Sequence, residues 1–136
     1  MELTISFPGG QKVNAELNGM VIPTDQPVAA GGEGSAPSPY DYFLAAIGTC
    51  AGFYVLAFCH QREIPTDRIV LRQHAEFAAT ADGKRRLAQV AIEIVVPPDF
   101  PEKYRQALVR SAELCAVKKA ILDPPEFSIS TRVGDN

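Results

Sequence analysis

The stretch SPYDYFLAAIGTC, residues 38–50, holds the signals that begin a long helix and places a cysteine well inside it. Ser38 is a favoured N-cap residue, Pro39 suits the first helical position, and Asp41 follows three residues after the cap, as in a capping box. The helix is predicted to run from 39 to about 62. Its apolar residues lie all round the axis, a pattern typical of a helix that is buried on most sides.

The rest of the chain predicts strands and a second helix around this first one. Residues 2–24 show the alternation of short strands. Residues 68–79 and 87–96 also alternate between apolar and polar side chains, with a turn at Asp82-Gly83 between them, which indicates a long antiparallel hairpin. A second helix is predicted from 99 to about 122, and a last strand at 127–133. This order of elements predicts an α+β fold with helices packed on antiparallel sheet.

Length and composition restrict the classes of function. A chain of 136 residues, of which 46% are hydrophobic, predicts a single domain over 1–136. The net charge of −3 and the lack of a long basic run indicate no nucleic-acid partner. No apolar stretch reaches the about 20 residues that span a bilayer, and no signal peptide is recognised, so a cytoplasmic protein without membrane contact is predicted. No metal and no cofactor are expected, because neither zinc-site nor phosphate-loop spacings occur.

The three cysteines are the residues on which any chemistry would depend. Cys59 follows Cys50 by nine residues on the predicted helix, about half a revolution and roughly 13 Å away. A disulfide needs Cα atoms within about 7 Å, so any pair must include Cys115 from the second helix. Small neighbours at 48–52 leave room for a ligand beside Cys50. Two interpretations stay open at this point: buried thiols that only pack, or a thiol pair with redox chemistry.

Two motifs connect the chain to a known family. Residues 34–50, from Gly-Ser-Ala-Pro to Cys50, resemble the first-cysteine motif of the OsmC/Ohr family of osmotically inducible and organic hydroperoxide resistance proteins. Cys115-Ala116-Val117 is similar to the second-cysteine segment of that family, in which a proline usually follows the cysteine. The resemblance implies an OsmC-like fold, with antiparallel sheets packed around two long central helices. It also implies an intertwined homodimer with sites at the subunit interface.

The same resemblance implies a thiol peroxidase with Cys50 and Cys115 as its catalytic residues. The Cys50 thiolate would attack an organic hydroperoxide and become a sulfenic acid. Cys115 would then condense with the sulfenic acid to a disulfide, which a dithiol reductant would reset. The implied partners are therefore a second copy of the chain, a small hydroperoxide and a dithiol.

The chain departs from the peroxidase pattern at the groups that activate the thiolate. Peroxidase members pair an N-terminal arginine with a glutamate ten residues before the first cysteine. Here the first arginine is Arg62, only Lys12 is basic in the N-terminal strands, and Tyr40 occupies the glutamate position. Lys118 and Lys119, just after Cys115, are the nearest alternative cations, and Lys118 lies on roughly the same helix face as Cys115. The other interpretation is that both are solvated lysines in the last turn of the helix, interacting with its dipole.

These departures leave three other interpretations open beside a hydroperoxide reductase. The first is a non-enzymatic small-molecule-binding or stress-response module with a weakened or lost peroxidase site. The second is a thiol-dependent enzyme acting on another substrate. The third is a scaffold in which the cysteines only pack.

Overall fold

The computed structural model of the chain describes residues 1–134. Within them lie five strands, namely β1 (Thr4–Gly9), β2 (Lys12–Leu17), β3 (Met20–Thr24), β4 (Val70–Ala79) and β5 (Arg85–Val95). The α-helices are α1 (Pro39–His60), α2 (Arg105–Ala112) and α3 (Ala116–Leu122). Strands β1, β2 and β3 form one antiparallel sheet in that order, and β4 pairs with β5 in a second. The predicted α+β class is confirmed.

The first sheet is a meander whose turns follow from the sequence. Leu17 pairs with Met20, so the β2–β3 turn has Asn18 and Gly19 as its two central residues. Both adopt positive φ, 51° and 78°, which is the backbone conformation that an Asn-Gly hairpin turn requires. The register of this sheet is thereby fixed locally.

The chain divides into two compact units. The first comprises Met1–Gly48 and Gln73–Ala91, and the second comprises Thr49–Arg72 and the chain from Ile92 onward. The second unit has a hydrophobic core built from the C-terminal half of α1, the segment before α2, and α2 itself. Its buried members are Val55, Phe58, Cys59, Phe100 and Leu108. The assignment of 1–136 as a single domain stays a prediction.

The second predicted helix is divided, so only one of the two expected central helices is long. A short 3-10 turn at Glu102–Tyr104 leads into α2, and a break separates α2 from α3. The break occurs because Cys115 adopts φ −43° and ψ 117°, an extended ψ that ends the helical path and makes Cys115 the N-cap of α3. Asp99, where the helix was expected to begin, instead binds Arg68 at 2.6 Å.

The C-terminal strand predicted at 127–133 is not assigned as a strand in the structure. Its alternating apolar residues are exposed, with Phe127 at 86% and Ile129 at 96%. A strand needs a neighbour for its backbone hydrogen bonds, and alternation in the sequence cannot supply that neighbour.

Helix α1 is 22 residues long and buries one stripe rather than most of its surface. By length and composition alone it could cross a membrane, contrary to the expectation that no apolar stretch reaches that length. Core helices of globular proteins pass the same test. The buried stripe of α1 consists of Ile47, Ala51, Val55, Phe58 and Cys59.

Candidate functional site

Helix α1 begins where the capping signals predict, which sets the position of every residue after it. The Ser38 hydroxyl accepts a hydrogen bond from the Asp41 backbone N–H at 3.2 Å. The Asp41 carboxylate accepts the Ser38 backbone N–H at 2.8 Å and the Ser38 hydroxyl at 2.7 Å. These bonds lower the pKa of Asp41, the hydroxyl contributing most. The predicted capping box, with Asp in place of Glu, is confirmed.

The second cysteine lies in the tight turn between α2 and α3. Its backbone N–H bonds to the Ala112 carbonyl at 3.2 Å, and its Sγ accepts the Lys118 backbone N–H at 3.4 Å. Sulfur thus takes the N-cap role that a serine or aspartate oxygen usually fills. Cys115 is only 2% exposed, so the turn holds its thiol inside the second unit.

The structure brings the Cys50 and Cys115 thiols together. The pKa of Cys50 is lowered from its ordinary value by the Val117 backbone N–H, by a hydrogen bond from the Cys115 thiol, and by the Ala116 backbone N–H. Partial burial acts in the opposite direction. Donors that point at the sulfur favour its anionic form, which is the nucleophilic form of cysteine. The predicted proximity of these two residues is therefore observed, whereas their redox pairing stays a prediction.

Cys59 is too deeply buried for its thiol to meet a substrate. It is fully buried within the hydrophobic core of the second unit, and that burial raises the pKa of its thiol despite the nearby Arg62. The Arg62 guanidinium lies 3.7 Å from the centre of the Phe58 ring and donates to the Phe58 carbonyl at 3.1 Å. Cys59 therefore acts as a small apolar packing group.

Neutral hydrogen-bond donors, two from the backbone and one from the Cys115 thiol, lower the pKa of Cys50. Among the groups in residues 1–134 that lower the pKa of Cys50, none is a cation. Lys118 contributes its backbone N–H to Cys115, and Lys12 pairs with Glu33 at 2.6 Å. Tyr40, at the glutamate position, packs against Phe43 with the two rings tilted and their centres 5.4 Å apart. Sequence reasoning missed the backbone donors because an amide N–H carries no residue-type signature.

One buried carboxylate before α1 also escaped the sequence analysis. Asp25 is 1% exposed and accepts the Ser35 hydroxyl at 2.7 Å and the Ser35 backbone N–H at 3.0 Å. The backbone N–H groups of Gln26 and Glu33 bind it as well, at 2.8 and 3.2 Å. The Ser35 hydroxyl, followed by these backbone donors, lowers the pKa of Asp25 to about 2. This carboxylate orders the glycine-rich loop that leads into α1; an Asp and a Ser ten residues apart were the only sequence signal.

The described residues offer no cluster for a metal ion. Among residues 1–134, no three His, Cys, Asp or Glu side chains are arranged so that they could hold a metal ion.

Solved structures with the same fold come from several bacteria. An osmotic stress induced and detoxification response protein from Psychrobacter arcticus superposes with a TM-score of 0.72 at 23% identity, covering 87% of this chain and 85% of that one. The organic hydroperoxide resistance protein OsmC from Legionella pneumophila gives 0.62 at 22% identity, covering 89% of each chain. An organic hydroperoxide resistance protein from Vibrio cholerae, with captopril bound in one of its active sites, gives 0.60 at 18%, covering 89% and 84%.

The comparison with protein families assigns the sequence directly. No curated protein matches the chain. The family model described as OsmC-like protein matches residues 32–130, which include α1, both sheet strands after it, and the two helices that flank Cys115. The resemblance read from the two cysteine motifs is thus confirmed, and the chain belongs to the OsmC-like protein family.

Proposed function

We propose that this protein is a cysteine-dependent reductase of organic hydroperoxides, with Cys50 as the peroxidatic residue and Cys115 as the resolving residue. The observation that carries the proposal is the set of donors on the Cys50 sulfur, namely the Val117 and Ala116 N–H groups and the Cys115 thiol. One arrangement thereby supports both a reactive thiolate and a second thiol in contact with it. Two relatives of the same fold are named for organic hydroperoxide resistance, which agrees with this substrate class.

The proposed reaction uses the two sulfurs in turn. The Cys50 thiolate attacks the terminal peroxide oxygen, the O–O bond breaks, and the alkoxide leaves as an alcohol after taking a proton. Cys50 is then a sulfenic acid. The Cys115 thiol attacks that sulfur, which releases water and forms the Cys50–Cys115 disulfide. A dithiol reduces the disulfide through a mixed disulfide and returns both thiols, its own sulfurs becoming oxidised.

The difference in exposure supports the proposed order of the two cysteines. Cys50 is half-buried, so a small peroxide can approach its sulfur, whereas Cys115 is 2% exposed. A sulfur that must meet substrate needs access, and a sulfur that attacks its neighbour does not.

A second copy of the chain completes the proposal. Large apolar side chains of α1 stay exposed in one chain, among them Phe53 at 63% and Tyr40 at 46%. The segment after α3 adds Phe127, Ile129 and Val133, all almost fully exposed. Large apolar side chains left exposed in this number are typical of surfaces that bind another protein, and a homodimer would cover them.

The alternative function is a non-enzymatic binding or stress-response module. It is favoured by one observation, that the groups lowering the pKa of Cys50 in the described chain include no cation. Such a module would keep the fold and the contact between the thiols without turning over peroxide.

Peroxide consumption separates the two functions. Reduced protein is mixed with cumene hydroperoxide and an excess of dithiothreitol, and the remaining peroxide is measured over time. We expect catalytic turnover in the wild type and in Cys59→Ala, which keeps the core position apolar, and loss of turnover in Cys50→Ser. Turnover that survives Cys50→Ser contradicts the role of Cys50, and absence of turnover in the wild type supports the binding module.

A further inference from the structure

A second polar link joins α1 to the segment that carries Cys115. The Ser111 hydroxyl, in the last turn of α2, donates to the Tyr54 carbonyl of α1 at 3.2 Å. Tyr54 is one helical turn after Cys50, and Ser111 is four residues before Cys115. The link therefore lies about one turn from both thiols.

The bond is unusual for a serine in a helix. Such hydroxyls generally bond to the carbonyl four residues earlier in their own helix. The Ser111 hydroxyl instead reaches a residue 57 positions away, on another helix. The Ser111 carbonyl also accepts the Leu114 N–H at 3.1 Å, within the turn that leads to Cys115. Ser111 thus bonds to the α1 backbone through its hydroxyl and to the turn before Cys115 through its carbonyl.

We propose that Ser111 is a positioning residue for the thiol pair, holding the 111–115 turn against α1 so that the Cys115 sulfur stays within bonding range of Cys50. Nearby packing fixes α2 against α1 through Leu108, Val55 and Phe58. Apolar contacts of this kind are non-directional, whereas the hydroxyl bond fixes the turn along the helix axis. The role of this positioning in catalysis rests on the proposed function. The effect of Ser111 on the contact between Cys50 and Cys115 does not depend on hydroperoxide being the substrate.

The quantity that reports positioning is the disulfide equilibrium. In glutathione buffer the two thiols and one oxidised glutathione give the Cys50–Cys115 disulfide and two reduced glutathiones. Loss of one hydrogen bond that holds the thiols together is expected to shift this equilibrium about three- to tenfold toward the dithiol. A purely structural role would lower the melting temperature of the reduced and the oxidised protein alike and leave the equilibrium unchanged.

The test compares side chains of equal shape. Ser111→Thr keeps the hydroxyl and Ser111→Val removes it, while Ser111→Ala removes it without added bulk. Each variant is equilibrated across a series of glutathione ratios, and the disulfide fraction is measured by mass spectrometry after acid quenching and alkylation. We expect the disulfide equilibrium constant of Ser111→Thr to stay within about twofold of the wild-type value. The valine and alanine variants should shift it about three- to tenfold toward the dithiol. Arg110→Ala, an exposed change in the same turn, is the control and is expected to have no effect.

The outcomes separate this inference from the proposed function. A Ser111 effect in glutathione buffer upholds the inference even if the wild type consumes no hydroperoxide, in which case the proposed function alone fails. Equal equilibria for the threonine and valine variants overturn the inference. It is also overturned if wild-type Cys50 and Cys115 form no disulfide at any glutathione ratio.

Discussion

At the scale of single residues, the contrast between Cys50 and Cys59 shows how environment decides chemistry. Both are cysteines on one helix, nine residues apart. Cys50 is half-buried and receives hydrogen bonds that lower the pKa of its thiol, whereas burial raises the pKa of the Cys59 thiol. Sequence spacing excluded a bond between them, but only the structure shows which one has donors.

Alkylation across pH tests that contrast. The thiolate is the reactive form, so a lowered pKa makes Cys50 react at lower pH than a free cysteine, whose pKa is about 8.5. We expect the rate of iodoacetamide modification at Cys50 to reach half its maximum below that pH. Cys59 should stay unmodified until the protein unfolds, because it is fully buried. The readout is peptide mass spectrometry, and a Cys50 midpoint at or above that of a free thiol contradicts the assigned donors.

Asp25 gives a second prediction for a single residue. Its pKa is about 2 in the fold against an ordinary 3.8, so its stabilising effect is complete above about pH 4 and is lost as pH falls toward 2. Asp25→Asn should therefore lower the melting temperature at pH 7, and the difference from wild type should shrink between pH 4 and pH 2. Thermal unfolding monitored by circular dichroism measures both. Asp67→Asn, at an exposed position, is the control; an Asp25→Asn difference that does not change with pH would contradict the account.

At the scale of elements, the site depends on the break between α2 and α3. Ala116 is the first residue of α3, a position that accepts proline without loss of the helix. Ala116→Pro removes one N–H that bonds to the Cys50 sulfur. We expect the pKa of Cys50 to rise and its alkylation profile to move to higher pH, with the helical circular dichroism signal retained.

Lys118→Met is the matched variant for that experiment. It removes the ammonium group but keeps the backbone N–H that bonds to Cys115 Sγ. We expect its Cys50 alkylation profile to coincide with that of wild type. A profile that moves in Lys118→Met but not in Ala116→Pro would restore the lysine as the activating group and contradict the backbone-donor account.

The elements also show what local sequence can and cannot specify. The start of α1 was predicted correctly because Ser38, Pro39 and Asp41 act on their own backbone neighbours. The break at Cys115 was missed because residues 113–118 contain no glycine or proline. The backbone N–H groups of Ala116 and Val117 bond to the sulfur of Cys50, which is far away in the sequence, and such contacts leave no local signal. The strand expected at 127–133 failed for a related reason, since pairing depends on a neighbour that alternation does not reveal.

At the scale of the whole molecule, the apolar side chains exposed in one chain predict self-association. We expect the protein to sediment as a dimer at micromolar concentration, because Phe53 and other apolar side chains of α1 are exposed in one chain. Phe53→Asp should weaken the dimer by at least about tenfold, since a charge would be placed in an apolar interface. Arg86→Asp, on an exposed strand position, is the control. A monomeric wild type in analytical ultracentrifugation contradicts this expectation.

The most direct measurement of the central claim is the bond between the two sulfurs. Reduced wild-type protein is treated with one equivalent of cumene hydroperoxide, blocked with an alkylating reagent, digested, and mapped by mass spectrometry. The account predicts a peptide pair joined through Cys50 and Cys115, with Cys59 alkylated only after unfolding, and a Cys50 sulfenic acid trapped in Cys115→Ser. Cys50 and Cys115 recovered as unoxidised thiols, or oxidation that begins at Cys115 instead, would contradict it.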